Sequence, residues 1–133
     1  MEFHAWMRGK LSDYERTCKF YEVAKQEFLK DRDLRSFESA INDIIEAQKG
    51  NESDLMEEVY FIRATMNFYS KNYEDSIDDY NMVLKINPRN NHAKKERGLA
   101  YSCIEDSYEA ETALVECLNS LQKPTVFVPD SRP

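Results

Sequence analysis

The chain has 133 residues, enough for one domain with a single core or for a short stack of repeats. Hydrophobic residues make up 41% and charged residues 32%, the balance of a globular chain and not of a disordered one. A net charge of −7 with a pI near 4.9 argues against a nucleic-acid backbone or an anionic membrane as main partner.

Residues 1–10 form a lead-in with Phe3, Trp6 and Met7, whose apolar side chains are expected to seal one end of the core. From Leu11 to Lys30, Tyr14, Cys18, Tyr21, Ala24 and Phe28 recur at helical spacing. Asp33 is placed to cap a second helix that runs to Gln48 and turns Phe37, Ala40, Ile41, Ile44, Ile45 and Ala47 inward. Gly50 suits the left-handed conformation that follows a helix C-terminus.

A third helix is expected from Leu55 to Ser70, with Asp54 and Glu57 as a capping pair and Tyr60, Ala64, Asn67 and Phe68 on one side. Asn72 caps a fourth, Tyr73 to Ile86, that buries Ser76, Ile77, Tyr80, Val83 and Leu84. Pro88 ends it, because the residue before a proline is pushed out of helical geometry. The pattern then predicts a fifth helix from Asn91 to Ile104 and a sixth from Tyr108 to Leu121, capped by Asp106 or Ser107. The sixth is expected to bury Ala110, Ala113, Leu114, Cys117, Leu118 and Leu121. After Pro124 the tail reads as extended, with Val126, Phe127 and Val128 as a small apolar patch. No strand of consequence is predicted, so the class is all-α.

Charge is unevenly spread. The first 50 residues carry nine basic and ten acidic side chains, so almost all the net charge follows them. The local runs, Glu74 with Asp75 and Asp78 with Asp79, read as a solvated helix face. Cys18, Cys103 and Cys117 are odd in number and widely spaced, which is neither a disulfide framework nor a zinc pattern. In helical patterns a cysteine serves as a small apolar residue. With no apolar core of signal-peptide length at the start and no membrane-span run, a soluble, cytoplasmic protein is expected.

The helices repeat. Ala64 and Gly98 are 34 residues apart, as are Ser76 and Ala110, and Leu84 and Leu118. An earlier copy is offset by 36: Phe37 to Tyr73, Ala40 to Ser76, Ile41 to Ile77, Ala47 to Val83. Thirty-four is the length of a tetratricopeptide repeat, and residues 57–90 resemble that family. Tyr60 stands in its large aromatic slot, Ala64 and Ser76 in its small-residue slots, Tyr73 and Tyr80 on the second helix, and LKINPRN at its close. Flanking copies depart: Lys94 holds the aromatic slot of the third, Gln122 its closing proline, and Phe28 the small-residue slot of the first. Gly98, unfavourable inside a helix, fits a position of close approach. The resemblance implies a right-handed superhelical stack of hairpins, a solenoid of six or seven helices over residues 11–123. Its repeats would be 21–54, 57–90 and 91–124, followed by the tail 124–133.

No catalytic constellation assembles. His4 and His92 lack partners at metal-ligand spacing, and there is no phosphate loop, GxSxG elbow or HExxH. The expected protein is not an enzyme and needs no cofactor or metal. By resemblance, the first helix of each hairpin lines a concave groove for a peptide or helix of a partner protein. The matching slots are Glu22, Lys25 and Leu29; Glu58, Phe61, Thr65, Phe68 and Tyr69; and His92, Lys95, Leu99 and Ser102. Phe61 is adjacent to Tyr60 and points about 100° away from it, so the two cannot share one core. An exposed aromatic suggests binding, while contact with the lead-in or the tail would explain it equally.

A clamp for chaperone tails is disfavoured. Lys25 fits that pattern, but Leu29, Ile62, His92 and Glu96 stand where Asn, Asn, Lys and Arg are expected. Lys25 and Lys95 keep an acidic peptide possible. The leading expectation is a small adaptor that anchors a partner on Phe61, Phe68 and Leu99. The alternatives are a structural or self-associating subunit whose tail occupies its own or a neighbour's groove, and a secretion chaperone for hydrophobic substrates, since small acidic tetratricopeptide proteins of bacterial secretion systems resemble this chain in size and charge.

Overall fold

The computed structural model describes residues 13–122. Within them the chain is all-helical, with five helices: α1 (Asp13–Asp31), α2 (Leu34–Ala47), α3 (Asp54–Tyr69), α4 (Tyr73–Ile86) and α5 (Asn91–Gln122). The expectations for Phe3, Trp6 and Met7 and for Val126, Phe127 and Val128 fall outside the described residues.

Local chemistry explains each boundary. Asp33 caps α2 as its sequence position implies: its carboxylate accepts from the Ser36 backbone N–H at 3.1 Å and from the Ser36 hydroxyl at 2.8 Å. These two bonds lower the Asp33 pKa from its ordinary value. Gly50 adopts φ +89° in the turn after α2. The cap of α3 is Ser53, which accepts from Met56 N–H at 3.3 Å, and not the expected pair of Asp54 and Glu57. Asn72 does precede α4, but its side chain makes no capping bond. The α3–α4 turn relies on its backbone: Lys71 N–H bonds to Phe68 O at 3.0 Å and Asn72 N–H to Asn67 O at 2.8 Å, with Lys71 at φ +67°. This is a Schellman ending with a lysine in the position that favours glycine.

The core runs through α1 to α4 and the start of α5. Its centre is Ile41, Ile44, Met56, Val59, Ala64, Tyr80, Val83 and Ala93, all essentially inaccessible to solvent. Burial of each large member contributes roughly 1.5–3 kcal/mol. On α1 the buried stripe is Thr17, Phe20, Tyr21 and Ala24, so Phe20 joins the expected set while Tyr14 stands exposed in the first turn. On α2, Ala47 is exposed and the next residue, Gln48, is buried in its place. The Gln48 amide donates to the Thr17 hydroxyl at 3.2 Å and accepts from Asn51 at 2.7 Å. A paired amide is thus tolerated where an apolar residue was expected.

Among the described helices α3 and α4 share the most extensive interface, followed by α4 and α5. A three-residue connection forces α3 and α4 into an antiparallel hairpin. Ser76 and Ala64 meet at its centre, where the Ser76 hydroxyl donates to the Ala64 carbonyl at 2.9 Å. Beside them Arg63 grips Asp79 with two bonds of 2.9 Å, and Asn67 and Asn42 add bonds at 3.2 and 3.1 Å to Asp79 and Arg63 respectively. Asp79 is buried, which corrects its reading as part of a solvated face; Glu74, Asp75 and Asp78 are exposed as expected. The hydrogen bond with Asp79 raises the Arg63 pKa above its ordinary value. Tying α2, α3 and α4 together, this network keeps a charge pair below the surface because all its polar edges are satisfied.

The largest departure from expectation lies in α5. It is one continuous 32-residue helix, about 48 Å long, where two helices and a turn were expected. Its first half packs on α4 through Ala93 and Ala100, and Arg97 donates to Asn81 at 2.7 Å. Beyond Ile104 every side chain through Leu121 is exposed, including Ala110, Ala113, Leu114, Cys117, Leu118 and Leu121. The reason is local: between Gly98 and Pro124 there is neither glycine nor proline, and Asp106 and Ser107 favour a cap without enforcing one. Gly98 is exposed too, and a Cβ added there would meet nothing within 4 Å, so no close approach occurs among the described residues.

Candidate partner-binding groove

The start of α3 faces both α1 and α5. Glu58, one turn into α3, accepts the Tyr21 phenol hydrogen and a second bond from Lys25 Nζ at 3.3 Å. Lys25 also pairs with Glu22 at 3.1 Å and sits 4.7 Å from the centre of the Tyr21 ring. Burial, and then the Glu58 carboxylate, push the Tyr21 phenol well above its ordinary pKa. Partial burial lowers the Lys25 pKa, but bonds to Glu22 and Glu58 outweigh it and the net shift is upward. Lys25 is therefore a charged, paired cation, its ammonium bonded to both Glu22 and Glu58.

One turn further along α3, Phe61 is half-buried. Its ring meets Tyr80 edge-on at 5.5 Å and His92 at 4.8 Å. The Thr65 hydroxyl donates to the Phe61 carbonyl at 2.9 Å and lies 3.5 Å from the Tyr80 hydroxyl. Tyr60, its neighbour in sequence, is buried, so the two rings divide core and surface as their 100° separation requires. Phe61, His92, Asn90, Asp54, Glu57 and Glu58 line a cleft of about 290 Å³.

Glu57 is structural: one oxygen accepts from Asn87 at 2.9 Å and from Asn90 at 2.8 Å. Asn90 in turn caps α5 by accepting from Ala93 N–H at 2.9 Å. The loop around Pro88 is thus pinned to α3, and this fixes His92 over Phe61. Sequence reasoning missed this role for Glu57, although its spacing to Asn87 and Asn90 is fixed by the proline turn.

The remaining groove candidates divide in two. Leu29, Lys95 and Leu99 stand exposed, and Lys95 and Leu99 share a face of α5 with His92 by their three- and seven-residue spacing. Phe68 and Tyr69 lie at the other end of α3, about 15 Å from Glu58. There Phe68 is half-buried between Tyr69 and Tyr73, at 5.4 and 5.5 Å, while Tyr69 is 77% exposed. The structure therefore brings Lys25, Phe61, Thr65 and His92 along one line and sets Phe68 and Tyr69 apart, at the hairpin turn.

Among the described residues no three His, Cys, Asp or Glu side chains gather into a metal site, and no helix is long and apolar enough to cross a membrane. No family model matches the sequence, and no curated protein or solved structure is significantly similar to it.

Proposed function

We infer that this chain is a non-enzymatic, tetratricopeptide-like adaptor that binds a segment of a partner protein along the face shared by α1, α3 and the start of α5. One observation carries the reading: a half-buried aromatic, Phe61, braced by Tyr80 and His92, lines a cleft with the carboxylates of Asp54, Glu57 and Glu58. Such a cleft offers an apolar anchor beside the exposed carboxylate of Asp54, with Glu57 held by Asn87 and Asn90 and Glu58 shared with Tyr21 and Lys25. It suits an apolar side chain followed by Lys or Arg, because the cation gains carboxylate partners at the edge while the apolar group leaves water. With Lys25 already paired to Glu22 and Glu58, a basic segment is favoured over an acidic one. The three free thiols, Cys18, Cys103 and Cys117, suit a reducing compartment such as the cytoplasm.

The test is selection from a random peptide library on the immobilised full chain, in parallel with His92→Ala and Asp54→Lys. Both residues are exposed, so neither change disturbs the core. The expected result is enrichment of peptides that pair a bulky apolar residue with Lys or Arg, lost in both variants. Enrichment that is indifferent to both substitutions, or none at all, would overturn the assignment.

A further inference from the structure

The second half of α5 has the composition of a hairpin arm without the hairpin. Shifted by 34 residues, the closed pair of α3 and α4 maps onto the two halves of this single helix. Ala64 and Ser76, which touch in the closed pair, correspond to Gly98 and Ala110, and Tyr80 and Val83 correspond to Leu114 and Cys117. In the closed hairpin these positions are buried; in α5 they are all exposed, with Leu114 at 58% and Leu118 at 48%.

Charge divides along the same line. Residues 91–104 carry three basic side chains, Lys94, Lys95 and Arg97, and one acidic, Glu96. Residues 105–122 carry five acidic ones, Glu105, Asp106, Glu109, Glu111 and Glu116, and none that is basic. A helix that is basic at one end and acidic at the other is complementary to an antiparallel copy of itself.

We propose that two copies of this chain pair through α5 as an exchanged hairpin. The second half of each α5 lies antiparallel on the first half of the other, where the missing arm of the third repeat would sit. The register follows from the closed pair. Because residue 64 opposes 76, residue 98 of one copy opposes 110 of the other, and the two-fold axis passes near residue 104. Gly98 then has its close approach, against Ala110 of the second copy, and Leu114 and Leu118 leave water. Arg97 of one copy comes opposite Glu111 of the other. Such an interface is isologous and closes at two copies, since each contact is made twice about the axis. The pairing uses the Lys94, Gly98 and Tyr101 face of α5, about a third of a turn from the His92 and Leu99 face that borders the groove.

Sedimentation equilibrium of the full chain is expected to return twice the single-chain mass of 15.7 kDa. Leu114→Asp with Leu118→Asp is expected to return it to one, since both side chains are exposed in the single chain. Register is read in a background with Cys18, Cys103 and Cys117 changed to Ser. Chains carrying Gly98→Cys are mixed with chains carrying Ala110→Cys under oxidation. The mixed disulfide is expected, whereas each variant alone should stay unlinked, its two cysteines being about 18 Å apart across the axis. A single-chain mass for the unmodified protein overturns the proposal, whether the arm folds back within one chain or awaits another protein. So does a dimer that survives the double substitution, or a link that forms between two 110 positions.

Discussion

In the α3–α4 hairpin, Arg63, Ala64, Ser76 and Asp79 meet across two helices; 34 residues later the same slots hold Arg97, Gly98, Ala110 and Ala113 on one straight helix. The arginine is kept, but its partner Asp79 and the Ser76 that bonds the Ala64 carbonyl both have no equivalent on the second arm. Ala110 has no hydroxyl to offer a carbonyl, and Ala113 has no carboxylate for Arg97. The turns differ less than these cross-links do, since neither has glycine: Lys71 holds the left-handed position in one and Glu105 is helical in the other. Closure of a hairpin in this protein thus draws on what the arms exchange as well as on the turn between them. An unlinked junction of good helix formers defaults to continued helix, because each added residue gains a backbone bond without a new nucleation cost.

The comparison breaks most severely at the buried pair. Arg63→Met leaves Asp79 charged and buried without its partner and should cost about 3–5 kcal/mol in urea unfolding. Arg63→Met with Asp79→Leu should recover most of that loss, because the desolvation of both charges disappears along with their attraction. If the single variant melts like the wild type, the lock is not what closes the hairpin.

A second change sharpens the contrast by supplying the missing turn. Glu105→Gly with Asp106→Asn places a glycine where Lys71 stands and an asparagine where Asn72 stands. Glycine costs about 1 kcal/mol in a continuous helix and little in the left-handed turn, so the straight form is penalised and the bent form is not. The expected outcome is a single-chain species with a smaller hydrodynamic radius, read by sedimentation velocity.

Two milder changes act on one backbone each. Lys71→Gly should stabilise the chain by about 1 kcal/mol by relieving the left-handed strain at φ +67°. Gly98→Ala should add about 0.5–1 kcal/mol, because the new methyl meets nothing among the described residues and alanine is the better helix former. Both are checked by thermal melts, and the alanine also fits the paired form, where Ala64 already occupies the equivalent position.

The smallest effect is the pH dependence of the α2 cap. Hydrogen bonds from Ser36 lower the Asp33 pKa below its ordinary 3.8. The unfolded chain therefore takes up the proton first as the solution is acidified. The stabilisation is fully present above the unfolded value and is lost as pH falls through the folded one. The difference in Tm between wild type and Asp33→Asn, which caps without titrating, should be constant at neutral pH and fade in acid.

Much of this was legible in the residues. The α4 boundaries, the Asp33 cap, the Gly50 turn and the buried faces of Ile41, Ile44, Tyr80 and Val83 follow from local pattern, because spacing and capping chemistry act over a few residues. The candidate groove was legible only as a set of positions. That Phe61 would be braced by His92, and Lys25 held by Glu58, depends on residues 31 and 33 apart in sequence that only helix placement brings together. Asp79 looked like one more surface acid until Arg63, 16 residues earlier, was found against it.

Local residue pattern is enough to specify helix across residues 13–122, the ends of most of those helices, and a 34-residue period through the second and third units. Only the tertiary structure decided which periods close. Residues 73–86 and 107–121 share apolar spacing and both form helix, since that depends on local backbone bonds. Whether such a helix folds back depends on side chains that meet only after folding: Asp79 and Ser76 make those meetings in α4, and Ala113 and Ala110 make none within α5.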